Sequence, residues 1–394
     1  MHTFWIGLTG LVCLSMSHAQ AQQTVSASHV QRHRLRASVA PPNVPGPQAP
    51  GLSLVDLTPI APLGPCAPAG AWPWDAEYTP DGAYLYVSLF GGYQGSGGCT
   101  VLKLNALTLA PVARLHVGES PEEIVFTLDT GGAVSEMYVT SSSASSVTIF
   151  DSSDQVVATV PIPERPGGVF GTAFPFGLAV APDQATVWVG TGEGRVFAID
   201  VATHSVDLAR TLDLGADCGF GRIAFVGNRL ALTKTTYHAN WMGSTASLVL
   251  IDPAVPAAAQ EVLLATSPTS ALYPSPQDLA LDPSGSLYVA GFDMGPQVYV
   301  VDPLSATVSA TWNTYTQPTA GKFQALGLHG NLLVVADLYS GQIARIDTHT
   351  GVMVGHVEAG MLGQGASELS FSPDGATLIM PMGGSDNLVR YWVH

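Results

Sequence analysis

The chain has 394 residues, of which 46% are apolar and only 11% are charged, and its formal net charge is −16. It contains 14 lysines and arginines against 30 aspartates and glutamates, so it has no basic face for nucleic acid. Turns or polar residues interrupt each later apolar run within about ten residues, whereas a membrane-spanning helix needs roughly twenty. We therefore expect no transmembrane segment.

The N-terminal residues 1–21 predict a secretory signal peptide. An apolar core from Phe4 to Met16 precedes Ala19-Gln20-Ala21, a small-residue cleavage site. The expected location is therefore periplasmic or extracellular. Residues 22–50 are polar and then proline-rich, without periodicity, and predict a disordered spacer.

A short apolar strand that ends in Asp, or in a residue at the equivalent position, recurs along the rest of the chain. The copies are 45 to 52 residues apart and end at Asn105, Asp151, Asp200, Asp252, Asp302, Asp347 and Trp392. A period of this size, built from short strands and Gly- or Pro-containing turns, is typical of a β-propeller. The seven copies predict an all-β, seven-bladed β-propeller over residues 51–394.

Each repeat is predicted to contain four strands, A to D, with the recurring Asp at the end of strand C. In the fifth repeat these strands are 276–281, 287–290, 298–302 and 308–312. The aspartates that end strand C precede turns, where Asp commonly accepts hydrogen bonds from its own backbone. We expect those aspartates to be structural.

The two ends of the repeat region predict how the ring closes. The last repeat stops after its strand C at 387–393, and a spare strand at 52–57 precedes the first repeat. We expect the spare strand to complete the last blade, because this pairing removes both open sheet edges.

Several strands carry recognisable repeat phrases. Tyr138-Val139-Thr140-Ser141 resembles the Tyr-Val-Thr-Asn (YVTN) repeat propellers, and the segment 335–347 resembles an NHL-type blade. The resemblance covers about residues 52–394 and implies the propeller architecture. These propellers include surface-layer proteins, binding scaffolds, lactonases and lyases, so the resemblance leaves the activity open.

The long loops between strands D and A, and between B and C, are expected on one face around the channel mouth, which is the usual binding side. Aromatic residues in these loops can stack on sugars or peptides, or can simply plug the mouth. The predicted ligand-binding residues of this face are Trp72, Trp74, Tyr93, Arg222, Lys234, Tyr237, His238, Trp241, Asp293 and Asp337.

Aligning the seven A strands brings four acids and one arginine to the same height in the channel. The third position reads Asp75, Glu123, Gly177, Arg222, Asp278, Ala325 and Glu368. Oxygen ligands from several strands suit Ca²⁺, so the four acids are a predicted metal site. They also suit general acid–base chemistry. Alternatively they bond to backbone N–H groups of the next blade, or pair with Arg222.

Three cysteines remain after removal of the signal peptide. Cys66 precedes strand A of the first blade and Cys99 starts its strand C, so both lie on the loop-rich face. We expect a disulfide between them, which an exported protein permits. Cys218 is three blades away and is expected to be a free thiol.

These observations leave three functions open. The first is a monomeric, non-catalytic propeller that binds a protein, glycan or small molecule at the channel mouth. The second is a divalent-metal-assisted hydrolase or lactonase that uses the four acids, with His238 or Lys234 as proton carrier. The third is a structural module of the cell envelope. No catalytic residue is assigned, and Ca²⁺ is the one candidate cofactor.

Overall fold

The computed structural model describes residues 51–60, 66, 70–91, 97–166, 172–239, 242–269, 272–314, 324–337, 342–358 and 368–394. The predicted signal peptide and spacer lie outside these residues. The described chain folds into seven four-stranded antiparallel sheets. The seven-bladed β-propeller predicted from the repeats is therefore confirmed.

The first three blades follow the predicted order of strands along the chain. Blade 1 contains β2 Pro73–Tyr78, β3 Tyr84–Leu89, β4 Thr100–Asn105 and β5 Pro111–His116. Blade 2 contains β6 Pro121–Leu128, β7 Val134–Ser141, β8 Ser146–Asp151 and β9 Val156–Pro161. Blade 3 contains β10 Pro175–Val180, β11 Thr186–Thr191, β12 Arg195–Asp200 and β13 Ser205–Asp213.

Blades 4 to 6 repeat this order. Blade 4 contains β14 Cys218–Val226, β15 Arg229–Tyr237, β16 Ser244–Ile251 and β17 Gln260–Ser267. Blade 5 contains β18 Ser275–Leu281, β19 Leu287–Phe292, β20 Gln297–Asp302 and β21 Thr307–Asn313. Blade 6 contains β22 Gln324–His329, β23 Leu332–Asp337, β24 Gln342–Asp347 and β25 Val352–Glu358.

Blade 7 combines the two ends of the described chain. It contains β26 Ser370–Phe371, β27 Thr377–Met382 and β28 Asn387–Val393, and its fourth strand is β1, Leu52–Pro59. β1 pairs antiparallel with β28, from Leu52 opposite Val393 to Pro59 opposite Asn387. The predicted closure of the ring by the N-terminal strand is confirmed.

The core of the propeller lies between the blades. Seven clusters of buried apolar side chains fill the described structure, and each joins one blade to the next around the ring. The innermost strands contact each other in ring order, including β2 with β26 across the closure. This packing fixes the height at which each inner strand faces the channel.

The aspartates at the ends of the third strands shape turns, as predicted. Asp151 Oδ1 accepts hydrogen bonds from the backbone N–H groups of Ser153 and Gln155, both at 2.9 Å. These bonds hold the pKa of the Asp151 carboxyl below its usual value. The same acceptor role recurs at Asp200, Asp252, Asp302 and Asp347.

Helical structure is minor in the described chain. It includes the short 3-10 helices Pro256–Ala258 and Gly383–Ser385. Among the described residues, no helix has the length and apolar character needed to cross a membrane.

Candidate functional site

The residues predicted to ring the channel do converge there, and irregular pairing helps to aim them. Asp75, Glu123, Gly177 and Arg222 each lie where the register between the first two strands of their blade shifts. An extra residue of this kind redirects side chains from the regular pleat. Glu368 lies two residues before the short strand β26, so it precedes that strand instead of belonging to it.

Three of the four acids bond to the inner strand of the following blade. Asp75 Oδ2 accepts a hydrogen bond from Ile124 N–H at 2.7 Å. Glu123 Oε2 accepts one from Leu178 N–H at 2.9 Å, and Asp278 Oδ2 accepts one from Leu326 N–H at 2.7 Å. The acids thus join consecutive blades, which is the structural role that the sequence left as an alternative.

Buried hydroxyl groups add a second set of links between blades, which the sequence analysis missed. Ser88 Oγ accepts a hydrogen bond from Asp75 N–H at 3.0 Å and donates to the carbonyl of Glu122 at 2.6 Å. Thr140 Oγ1 accepts from Glu123 N–H and donates to the carbonyl of Phe176, both at 3.0 Å. Ser88 and Thr140 each follow a Tyr-Val pair, Tyr86-Val87 and Tyr138-Val139, and this shared pattern was the available signal in the sequence.

Arg222 occupies the channel and pairs with acids from three other blades. Its Nη1 lies 2.5 Å from Glu123 Oε1, and its Nε lies 3.3 Å from Asp278 Oδ1. Its Nη2 pairs with Glu368 Oε1. Surrounding carboxyl groups, first among them Glu123 and then Asp278, raise the pKa of Arg222 against the opposing effect of burial, so the guanidinium stays charged.

Burial raises the pKa of a carboxyl group, whereas it lowers that of a guanidinium. It raises the pKa of Asp75 to about 6 and the pKa of Glu123 to about 7, although Arg222 opposes both shifts. Burial and the neighbouring Asp75 raise the pKa of Glu77 well above its usual value. These carboxyl groups therefore gain protons more readily than exposed acids do.

Glu77 is an additional channel acid that the sequence analysis missed. It lies two residues beyond Asp75 on β2, and the carboxyl groups of the two residues lie close together. The equivalent positions of the other inner strands hold small or apolar residues and one serine: Val125, Ala179, Ala224, Ala280, Gly327 and Ser370. One ligand oxygen each from Asp75, Glu77 and Glu368 lies within 4.8 Å of the others.

A narrow hollow shares Glu368 with this cluster. Among the described residues it is lined by Trp74, Glu123, Phe176, Arg222, Gln277, Asp278 and Glu368. The cavity volume is about 20 Å³, which is room for about one ordered water. The hollow therefore suits a small group better than a whole sugar ring.

Trp74, the predicted binding residue among the two aromatic residues that line this hollow, is packed into the protein. The Trp74 ring lies 5.2 Å from that of Phe90 and meets the Phe176 ring edge-on at 6.1 Å. Only 7% of Trp74 is exposed. Its packing matches the alternative in which aromatic side chains plug the mouth, and it forms a wall of the hollow.

The remaining predicted ligand-binding residues that the structure describes do not line the hollow. Trp72 N–H donates to Asp386 Oδ1 at 2.7 Å, and Asp293 Oδ2 accepts from Tyr273 N–H at 3.1 Å. Asp337 is buried at the end of β23. Tyr93 and Trp241 lie outside the described residues.

Three further candidates belong to blade 4. Lys234 and Tyr237, expected in a loop, lie on β15, because the hairpin with β16 continues to Tyr237 opposite Ser244. Lys234 Nζ lies 3.3 Å from both carboxylate oxygens of Glu261. His238 Nε2 lies 2.9 Å from Thr245 Oγ1. None of these contacts involves the four predicted metal-binding acids, Asp75, Glu123, Asp278 and Glu368.

The cysteines are arranged as predicted. Cys66 and Cys99 form a disulfide, with their Cα atoms 5.6 Å apart. Cys218 is a free, buried thiol, and burial raises its pKa to about 11. The disulfide attaches residue 66 to the start of β4 in blade 1.

The fold and the axial channel place the chain in the class of seven-bladed β-propellers. Among solved structures it is similar to a chain titled Kuenenia stuttgartiensis hydrazine synthase, with a TM-score of 0.61 and 16% sequence identity. The match covers 81% of this chain and 95% of that chain, and at this identity it shows the fold alone. No protein-family model and no curated protein matches the sequence.

Proposed function

We propose that this propeller is a non-catalytic binding protein that receives a small, positively charged group of its ligand in the hollow at the channel mouth. The observation that carries the proposal is the lining of the hollow. Three carboxyl groups, those of Glu123, Asp278 and Glu368, surround one guanidinium between the rings of Trp74 and Phe176. An excess of carboxyl groups beside aromatic rings favours a cation.

The bonds of these acids favour binding over turnover. Glu123 and Asp278 each hold a backbone N–H of the next blade with one oxygen and Arg222 with the other. Groups held in this way align the blades and give the hollow a fixed shape. A larger partner, whether a protein, a glycan or a small molecule, would present an amine or a similar group to this fixed site.

A matched pair of lysine substitutions tests the proposal. Gln277→Lys places an ammonium group at the hollow, whereas Gln260→Lys adds the same charge on the exposed outer strand β17. We expect binding to a panel of amine-bearing peptides and amino sugars, measured by biolayer interferometry, to be lost only in Gln277→Lys. Equal binding by the two variants, or no binding by the wild type, would count against a cation-receiving hollow.

Metal-assisted hydrolysis of an ester or lactone is the second candidate. The observation in its favour is that the pKa values of Asp75 and Glu123, about 6 and about 7, lie near those useful for a general base. Lactone hydrolysis that needs a divalent cation and disappears in Glu123→Gln would support this candidate over simple binding.

The cellular context belongs to the same proposal. The Ala19-Gln20-Ala21 cleavage site and the Cys66–Cys99 disulfide support export, with residue 22 as the first residue after processing. We expect the exported protein to be a monomer. N-terminal sequencing and light scattering of the exported protein test these points. The repeat phrases support kinship with the YVTN and NHL propellers, and the spacer supports projection from an envelope as a further role.

A further inference from the structure

We propose that the axial channel binds one hard divalent cation, best matched by Ca²⁺, between the carboxyl groups of Asp75, Glu77 and Glu368. This ligand set differs from the ring expected from the sequence. Glu123 and Asp278 each use one oxygen for Arg222 and the other for a backbone N–H of the next blade, whereas Glu368 pairs with Arg222 through Oε1. The inference does not depend on a ligand in the hollow.

The spacing of the three carboxyl groups fits such an ion. One oxygen from each residue lies within 4.8 Å of the other two. Two oxygens on opposite sides of a Ca²⁺ ion, each roughly 2.4 Å from it, are separated by about that distance. Asp75 Oδ2 and Glu368 Oε1 already have partners, so the three carboxyl groups leave about four oxygens, and water would complete the six to eight oxygen ligands that Ca²⁺ takes.

An unpartnered atom at the site provides the second observation. Asp75 is completely buried, and its Oδ1 has no hydrogen-bond partner among the described residues. Its other oxygen is fixed by Ile124 N–H. A buried carboxylate oxygen without a partner is costly, and such atoms commonly mark the position of an ion or water.

The charges of the channel point in the same direction. Arg222 provides the main positive charge that acts on Asp75, Glu77 and Glu123. Arg222 also pairs with Asp278 and Glu368. Five carboxyl groups therefore share one guanidinium. When all five are ionised, a divalent cation would offset two of the four charges that remain.

The first test measures metal binding by the intact protein. The protein is first stripped of metal with EDTA and then dialysed at pH 8 against buffer that contains Ca²⁺. We expect elemental analysis to find one bound Ca²⁺ per chain. At a hundredfold excess over Kd, Ca²⁺ should raise the Tm by about 4 °C, and EDTA should reverse the rise. Tb³⁺ should bind at the same site and luminesce when tryptophan is excited, since Trp74 lines the neighbouring hollow.

A matched pair of variants locates the ion. Glu77→Gln keeps the shape and removes one proposed ligand, so it should abolish the Ca²⁺ response. Glu122→Gln makes the same substitution at a fully buried acid outside the cluster and should keep the response. Should Glu77→Gln fail to fold, Glu77→Asp provides the same test through a reduced affinity.

The outcomes are distinct from those of the hollow. If neither Ca²⁺, Mg²⁺ nor Mn²⁺ binds the wild type at pH 8, the carboxyl groups hold protons and the cation site is refuted. Retention of the Ca²⁺ response in Glu77→Gln would also overturn it. Neither result changes the expected difference between Gln277→Lys and Gln260→Lys, because that comparison measures the binding of amines.

Discussion

Arg222 Nη1 lies 2.5 Å from Oε1 of Glu123, although the two residues belong to blades 4 and 2. One guanidinium therefore connects inner strands that are not neighbours in the ring. It does so in a channel where carboxyl groups outnumber it, which makes the charge of Arg222 a condition for the stability of the ring.

Removing that charge should be costly. We expect Arg222→Met to lower the free energy of unfolding at pH 8 by about 3–5 kcal/mol, because it leaves buried carboxylates without their partner. The loss should be smaller at pH 5, where these acids can take up protons. Urea unfolding at both pH values measures the effect, and Arg114→Met on the exposed outer strand β5 is the control. Equal losses at the two pH values would contradict this explanation.

The metal-free wild type should become less stable as the pH rises from 5 to 8. Asp75, Glu77 and Glu123 have raised pKa values in the folded state, so the folded protein binds more protons than the unfolded chain in this range. Their favourable contribution is complete below the unfolded pKa, near 4, and is lost as the pH passes the folded values.

Urea titrations in EDTA at half-unit pH steps should reveal this slope. Each unit of pKa elevation corresponds to about 1.4 kcal/mol. Glu77→Gln should flatten the slope, whereas Asp207→Asn on the outer strand β13 should leave it unchanged. A stability that rises with pH over this range would show that the channel acids ionise freely.

Deleting the closing strand should prevent formation of the ring. Without residues 52–59, β28 loses its partner and blade 7 has an open edge, so we expect aggregation or non-cooperative thermal unfolding. Deletion of 22–50 serves as the control and should leave the Tm unchanged. Calorimetry compares the two, and a cooperative transition in the first deletion would contradict the role of β1.

Reduction of the disulfide should weaken the protein without exposing its third thiol. The Cys66–Cys99 link spans 33 residues, and its loss in the double variant Cys66→Ala/Cys99→Ala should cost about 2–4 kcal/mol. Cys218 is only 1% exposed and should react with iodoacetamide only after unfolding. Mass spectrometry after alkylation checks this, and rapid labelling of Cys218 in the native protein would disprove its placement.

The hydroxyl links between blades should matter more than similar groups at the surface. Ser88→Ala removes a buried bridge between Asp75 N–H and the Glu122 carbonyl and should cost about 1–3 kcal/mol. Ser309 also donates to a backbone carbonyl, but it is exposed on β21. We expect Ser309→Ala to be near neutral in urea unfolding, and equal costs for the two would argue against a special role of the bridge.

The repeat pattern predicted the parts of this structure that depend on counting and alternation. The seven blades, the closing strand and the Cys66–Cys99 pair follow from repeat length and from which loops share a face. The common height of Asp75 and Glu123 followed from aligning the inner strands. These features are set by local sequence and by the order of the strands.

The contacts within the channel could not be predicted in the same way. The position of Arg222 among acids of three blades depends on register shifts in the inner strands, and the sequence does not show where those shifts occur. Glu77 was missed because only one position of each inner strand was compared. The buried links of Ser88 reach a different blade, so they depend on how the sheets pack.

The closing strand also determines when, during synthesis of the chain, the ring can close. Asp56 on β1 pairs with Arg390 on β28, 334 residues later. The ribosome releases β1 first and β28 last, and at roughly 5–20 residues per second the wait is on the order of tens of seconds. Until then the nascent chain can form only an open arc with unpaired edges. The chain is therefore most exposed to proteases, and to strand exchange with another copy, before its synthesis is complete.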